Sequence, residues 1–325
     1  MSLTDKTKCW LNENCNISLK GKTVLVTGAN SGVGFKTAEI SAYLGADVIL
    51  ACRSKERAYE ARQRLICDNP EASISVMQVD LARLSSIEAF TEELMSNKVD
   101  IDVFVNNAGA FRQPGKKTAD GFDLVIGTNY IGTYYLSELL LPYLSSLPHE
   151  VVYVNTISII HKIATVDYED FYYERGKHYR AFPVYARSKL CLARYTYAQA
   201  KRYTGSNVRI MMNHPGMTIT PMGLSALGNS NRWLAGIVGP LSNSPEKSAL
   251  SIAYILSHEI PAGSIVGPNK GFGGWGYPEM NRIGHRIKEG AEELICFTNI
   301  EIEKAKRKVN IVGGLYAYKN FTKNA

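Results

Sequence analysis

The sequence predicts an α/β fold: a doubly wound, mostly parallel sheet of about seven strands with helices on both faces, in a single domain. Three observations carry this. Short β-branched and apolar runs, such as Val24-Leu25-Val26 and Val48-Ile49-Leu50, have the composition of strands buried on both faces. Segments with apolar residues near a 3.6 spacing alternate with them, as at Phe35, Ala38, Ile40, Ala42 and Leu44. A chain of 325 residues with 45% hydrophobic content also has the means to bury a sizeable core.

Residues 1–18 are polar and read as a loosely ordered leader, followed by a domain over 19–280. Strand one ends at Thr27, and the loop Gly28-Ala-Asn30-Ser31-Gly32-Val33-Gly34 opens the first helix. Glycines let backbone approach a phosphate, and the free N–H groups of a helix start point at it. Strand two, Asp47 to Ala51, ends at Cys52-Arg53-Ser54-Lys55. An acid near this point accepts a ribose 2′-OH in dinucleotide folds, whereas Arg accommodates a 2′-phosphate. Arg53 with Lys55 therefore favours NADP(H) over NAD(H). The plainer alternative is that Arg53 merely begins the polar helix Ser54 to Leu65. Strand three, Ser73 to Val79, leads to Asp80-Leu81, and Ser85-x-x-Glu88 reads as a capping box for a helix through Met95. With Ser85 as cap, Asp80 is free for another role, or it bonds its own loop backbone.

Strand four, Ile101 to Val105, runs into Asn106-Asn107-Ala108-Gly109, whose small residues let backbone pass close to a ligand. A long apolar helix follows over about Phe122 to Leu144, carrying Asn129 among apolar neighbours. An unpartnered amide there would cost about 1–3 kcal/mol. Strand five, Val151 to Val154, precedes Asn155-Thr156-Ile157-Ser158. An aromatic insert with Tyr168, Phe171, Tyr172, Tyr173 and Tyr179 comes next, and either covers part of a substrate site or packs on its own rings. Tyr185-Ala-Arg-Ser-Lys189 puts a phenol and an ammonium on one helix face. A free phenol has a pKa near 10; a nearby cation favours the phenolate, and reaching 7 takes about 4 kcal/mol.

Strand six, Val208 to Met212, ends in His214-Pro215-Gly216-Met-Thr218-Ile-Thr220, with His214 read as structural. Residues 217–243 mix Gly and Ser with Leu224, Trp233 and Ile237, as suits an apolar lid. A helix from Pro245 to Ser257 has proline near its start, and Ser264-Ile265-Val266 supplies the last strand. Residues 281–325 read as a C-terminal helix and basic tail.

Composition excludes several classes. No apolar run reaches the ~18 residues of a membrane span, and the start of the chain lacks a signal-peptide core. Six scattered cysteines form no C-x-x-C pair, which points away from zinc and disulfides and toward a reducing, cytoplasmic setting. The net charge of +7 is modest, and the run Lys304, Lys306, Arg307, Lys308 reads as a solvated helix end rather than a nucleic-acid or membrane surface.

The glycine loop, N-N-A-G, strand-end serine and Y-x-x-x-K, in this order over about residues 19–270, resemble the short-chain dehydrogenase/reductase family. The aromatic insert, and the long Ser158-to-Tyr185 spacing it creates, resembles the retinol-dehydrogenase-like and protochlorophyllide-reductase-like branches. The resemblance implies a Rossmann-type fold and hydride transfer between NADP(H) and a carbonyl or alcohol of an apolar small molecule. It implies Tyr185 as general acid/base, Lys189 on the cofactor ribose, Asn129 in a proton relay, and Ser158 on the substrate oxygen with Thr156 as an alternative. Cofactor contacts are implied for Gly28, Asn30, Ser31, Gly32, Val33, Gly34, Arg53, Asp80, Leu81, Asn106, Ala108, Tyr185, Lys189, Pro215, Thr218 and Thr220. Dimers or tetramers are common in the family. Two rival readings are a reductase of a conjugated C=C bond and a non-catalytic NADP(H) sensor. The companion cysteine of the first is absent from the N-N-A-G region, and the Tyr–Lys pair argues against the second.

Overall fold

The computed structural model describes residues 3–175, 178–218 and 242–321, without the side chains of 272 and 309–321. Its sheet has eight strands: β1 (Thr23–Thr27), β2 (Asp47–Cys52), β3 (Ile74–Gln78), β4 (Val103–Asn106), β5 (Val151–Thr156), β6 (Val208–Asn213), β7 (Ile265–Lys270) and β8 (Trp275–Asn281). They lie in the order β3-β2-β1-β4-β5-β6-β7-β8. All pairings are parallel except β7 with β8. The order reverses between β1 and β4, the place where α/β sheets of this kind open a ligand crevice.

Period-two alternation sends neighbouring residues of one strand to opposite faces. Leu25 of β1 joins one core with α4 (Leu84–Ser96), α6 (Thr133–Ser145) and α7 (Ala181–Arg202). Val24 and Val26 join the other, with α2 (Gly32–Tyr43), α3 (Lys55–Asp68) and α8 (Pro245–Ser257). Helices on both faces explain why the central strands β1, β2, β4 and β5 are buried along nearly their whole length rather than alternating. The start of α8 is as expected: Pro245 stands in the first turn and the Ser244 hydroxyl accepts the Lys247 N–H.

Four expectations are revised. The first residues are not loose: α1 (Asp5–Asn14) is capped by Thr4, whose N–H and hydroxyl both donate to Glu246 of α8, at 3.0 and 2.7 Å. Trp10 stacks on Tyr277 of β8 with ring centres 5.4 Å apart. Second, Ser85 does not cap α4. The helix starts at Leu84, whose N–H donates to Asp120 Oδ2 at 2.9 Å, while Glu88 accepts the Tyr135 hydroxyl and pairs with Lys306 at 3.1 Å. A tertiary carboxylate has displaced the local cap. Third, the apolar helix is interrupted: α5 (Leu124–Ile126) passes into a π-helix at Gly127–Gly132 before α6 resumes. Fourth, β8 is an extra edge strand, and its Pro278 sits where an edge tolerates the missing N–H.

The aromatic insert packs on its own rings and on the C-terminal helix α10 (Ala291–Phe321), which follows the short α9 (His285–Lys288). Phe171 lies 4.6 Å from Phe297 and 6.2 Å from Tyr168, and the Tyr172 hydroxyl donates to Glu301. Within the basic run, Lys306 holds Glu88 and Lys304 holds Glu301, so both serve internal pairs. Among the described residues no helix is long and apolar enough to cross a membrane, and no His/Cys/Asp/Glu cluster fits a metal.

Candidate active site

At the carboxyl ends of β1 and β4 the glycine loop and the N-N-A-G turn are joined. Gly28 has φ +66°, and a Cβ there would stand 2.8 Å from Ala108 Cα, so only glycine allows the two turns to touch. The Thr27 hydroxyl accepts the N–H groups of Asn107 and Ala108, and Asn107 returns its amide to the Thr27 carbonyl. Asn106 turns inward: its amide donates to the Tyr153 hydroxyl at 2.7 Å and accepts from Thr27, leaving only backbone at the strand end. Leu81 is likewise buried, and Asp80 accepts the Ala82 N–H at 3.0 Å, the loop-bracing arrangement.

Beside this loop, α2 begins at Gly32 with Ser31 extended before it and making no side-chain cap bond. Its first-turn N–H groups therefore keep the freedom to receive an anion. A cleft of about 310 Å³ opens there, lined by Asn30, Ser31, Arg57, Glu60, Ala61 and Arg64. Arg53 is exposed just past β2 and is not among the lining residues; the cleft's arginines are Arg57 and Arg64, on α3. Nothing in the sequence marks either, because helical arginines at an exposed face carry no motif.

The π-helix places Asn129 at the center of the sheet's open end. Its amide donates to the Ala110 carbonyl at 2.9 Å and to Ser188 at 3.1 Å, and its oxygen accepts the Ala110 N–H at 2.6 Å. The buried amide is thus fully engaged with the turn after β4 and with the catalytic-motif helix. Ser158 stands at the start of a short 3-10 turn at Ile159–Ile163, and its hydroxyl lies near enough to the Tyr185 phenol to favour the phenolate. Thr156 contributes differently: its carbonyl accepts the Lys189 ammonium at 2.8 Å, while its hydroxyl is buried without a partner.

Tyr185 and Lys189 share one face of α7 as expected, with the ammonium 6.0 Å from the ring centre. Burial pushes the phenol above its ordinary value, and the neighbouring Ser158 hydroxyl opposes that. Lys189 is 4% exposed, and burial brings its pKa down to about 8. The expected lowering of the Tyr185 pKa by Lys189 is therefore not met by the protein alone, because the ammonium is turned to the Thr156 carbonyl. The residues still fit a nicotinamide dinucleotide. Lys189 Nζ carries three protons, and the Thr156 carbonyl takes one. Beside it Gly109 leaves room, since a Cβ there would stand 3.8 Å from Nζ and 3.2 Å from Asn129 Oδ1.

Pro215 and Thr218 lie after β6, where the Pro215 carbonyl accepts the hydroxyls of Thr218 and Ser248. Thr220 and residues 219–241 of the expected lid lie outside the described residues. Two aromatic side chains near Tyr185 carried no motif: Phe111 meets its ring edge-on at 5.0 Å, and Phe182, 58% exposed, meets Phe111 at 5.3 Å. Between Tyr185 and Lys189, Arg187 is buried and donates to the carbonyls of Thr165, Asp170 and Phe171, tying the insert to α7.

Comparison with known proteins agrees with this arrangement. Residues 22–168 match the family described as short chain dehydrogenase. Retinol dehydrogenase 14 of Mus musculus is 40% identical over 216 residues, 63% of this chain and 64% of that protein, so the match spans a little under two thirds of it. Retinol dehydrogenase 13 of Homo sapiens is 32% identical over 247 residues, 74% of each chain. Among solved structures, an uncharacterized protein from Mycobacterium Paratuberculosis superposes with a TM-score of 0.70 at 29% identity, covering 89% of this chain and 95% of that one. Levodione reductase does so at 0.59 and 25%, covering 73% and 91%. Fold, motif order and relatives converge, and the chain belongs to the short-chain dehydrogenase family.

Proposed function

We propose that the protein is an NADP(H)-dependent oxidoreductase acting on a carbonyl or alcohol of an apolar small molecule. The observation that carries this is the convergence of Ser158, Tyr185 and the buried Lys189 at the carboxyl end of β5. When bound, the nicotinamide would supply or take up the hydride. Tyr185 would pass a proton to or from the substrate oxygen, and Ser158 would donate a hydrogen bond to that oxygen as charge develops. Lys189 would hold the ribose hydroxyls with the protons that Thr156 leaves free. Asn129, through its two bonds to Ala110 and its bond to Ser188, would keep the turn after β4 in register with α7.

Arg53, with Arg57 and Arg64 in the cleft beside Ser31, supports a 2′-phosphorylated cofactor, since guanidinium groups bind phosphate bidentately. The Phe111 and Phe182 rings support an apolar substrate, and the relatives named retinol dehydrogenases are consistent with an alcohol or aldehyde of that kind. The test is a thermal-shift titration with NADPH and NADH, followed by a carbonyl panel read as NADPH loss. Stabilisation at lower NADPH than NADH concentration, with oxidation of NADPH by an apolar carbonyl, is expected. Stabilisation with no turnover on any carbonyl or alcohol would favour a cofactor sensor.

A further inference from the structure

We propose that His161 is a positioning residue, whose side chain holds Ser158 in place on the Tyr185 phenol. This rests on reading Ser158 and Tyr185 as the reacting pair. Ser158 is held from both sides. Before it, the Ile157 N–H donates to the Asn213 carbonyl of β6 at 2.8 Å. After it, the Ser158 carbonyl receives two donors from one residue, the His161 backbone N–H at 3.0 Å and the His161 Nδ1–H at 2.6 Å. A 3-10 turn needs only the first of these. The second fixes the plane of the peptide after Ser158, and with it the direction in which its hydroxyl leaves the backbone.

The surroundings keep that imidazole neutral and in place. His161 is 3% exposed, and this burial, with Lys162 on its own turn, holds its imidazole below the ordinary value; His161 in turn disfavours a charge on His214. His214 is 1% exposed with neither ring nitrogen hydrogen-bonded, and it occupies space left by two glycines. A Cβ on Gly267 would overlap its ring, and one on Gly273 would stand 3.0 Å from Cε1. A neutral imidazole donating from Nδ1 has one tautomer, so the bond to Ser158 is oriented and not shared.

The test compares His161→Phe, which keeps a ring and loses the donor, with His161→Asn, which restores a donor near the Nδ1 position. Two readouts are taken beside the melting temperature: kcat against KM with a carbonyl substrate, and the titration of the Tyr185 phenol by 13Cζ NMR. The phenol is faced by Ser158 and, across its ring, by Lys189, which is unchanged in both variants. His161→Phe is expected to lower kcat about tenfold, with cofactor affinity within about twofold, and to raise the phenol pKa as Ser158→Ala does; His161→Asn recovers most of both. Equal losses in the two variants, or an unmoved phenol in His161→Phe, would overturn the proposal. Should the parent protein turn over no carbonyl, the enzymatic reading fails, while the phenol titration still decides whether His161 holds Ser158.

Discussion

Lys189 is the residue whose environment departs most from its ordinary chemistry. A lysine with its pKa at about 8 in the folded chain and near 10.5 when unfolded binds fewer protons folded than unfolded between those values. Its charge therefore weighs fully against folding below pH 8, and that penalty fades as pH rises toward 10.5. Lys189→Met should make the cofactor-free protein more stable at pH 7 by about 2 kcal/mol, allowing for the hydrogen bond lost at Thr156. The difference should shrink by pH 10. Urea unfolding at both pH values measures it, and a variant less stable than the parent at pH 7 would show the ammonium to be well paired. Tyr185, Lys189 and Ser158 were legible because motif spacing marks them. Thr156 is half legible: its place at the strand end is, but the carbonyl that accepts Lys189 belongs to no side-chain pattern. Arg187 was invisible because its partners are carbonyls of a loop whose path the sequence does not state.

Elements were legible where periodicity is local and missed where a distant group decides. The buried strands and α8 follow from composition and capping. The π-turn does not, since its cause is tertiary: Gly132 lies against the Leu81 carbonyl, and a Cβ there would overlap the oxygen. The extra residue in that turn aims Asn129 at Ala110 and Ser188. Gly132→Ala should therefore destabilise the fold by about 2–3 kcal/mol by overpacking, against the roughly 0.5–1 kcal/mol that an alanine gains over glycine in an unconstrained helix. A denaturant midpoint equal to that of the parent would mean that the π-turn shifts without strain. The failed cap at Ser85 has the same origin. Asp120, 36 residues further on, takes the Leu84 N–H that a local serine was expected to serve.

At the scale of the molecule, the two cores and the strand order bring four separated sequence segments to one crevice. The glycine loop and N-N-A-G meet through Thr27, and α7 reaches them through Asn129 and Ser188. The C-terminal helix takes part from behind, with Thr298 on Tyr130, Asn299 on Tyr134 and Phe297 on Phe171. The sequence showed the segments and their order but not this bracing, because pairings more than 100 residues apart leave no periodic trace. In the proposed reaction the crevice transfers a proton through Tyr185. Turnover of an apolar carbonyl by Tyr185→Phe, measured as NADPH oxidation beside calorimetric NADPH affinity, tests it most directly. A loss of about 10³-fold or more in turnover is expected, with affinity within about twofold of the parent. Turnover equal to the parent's at unchanged affinity would contradict it.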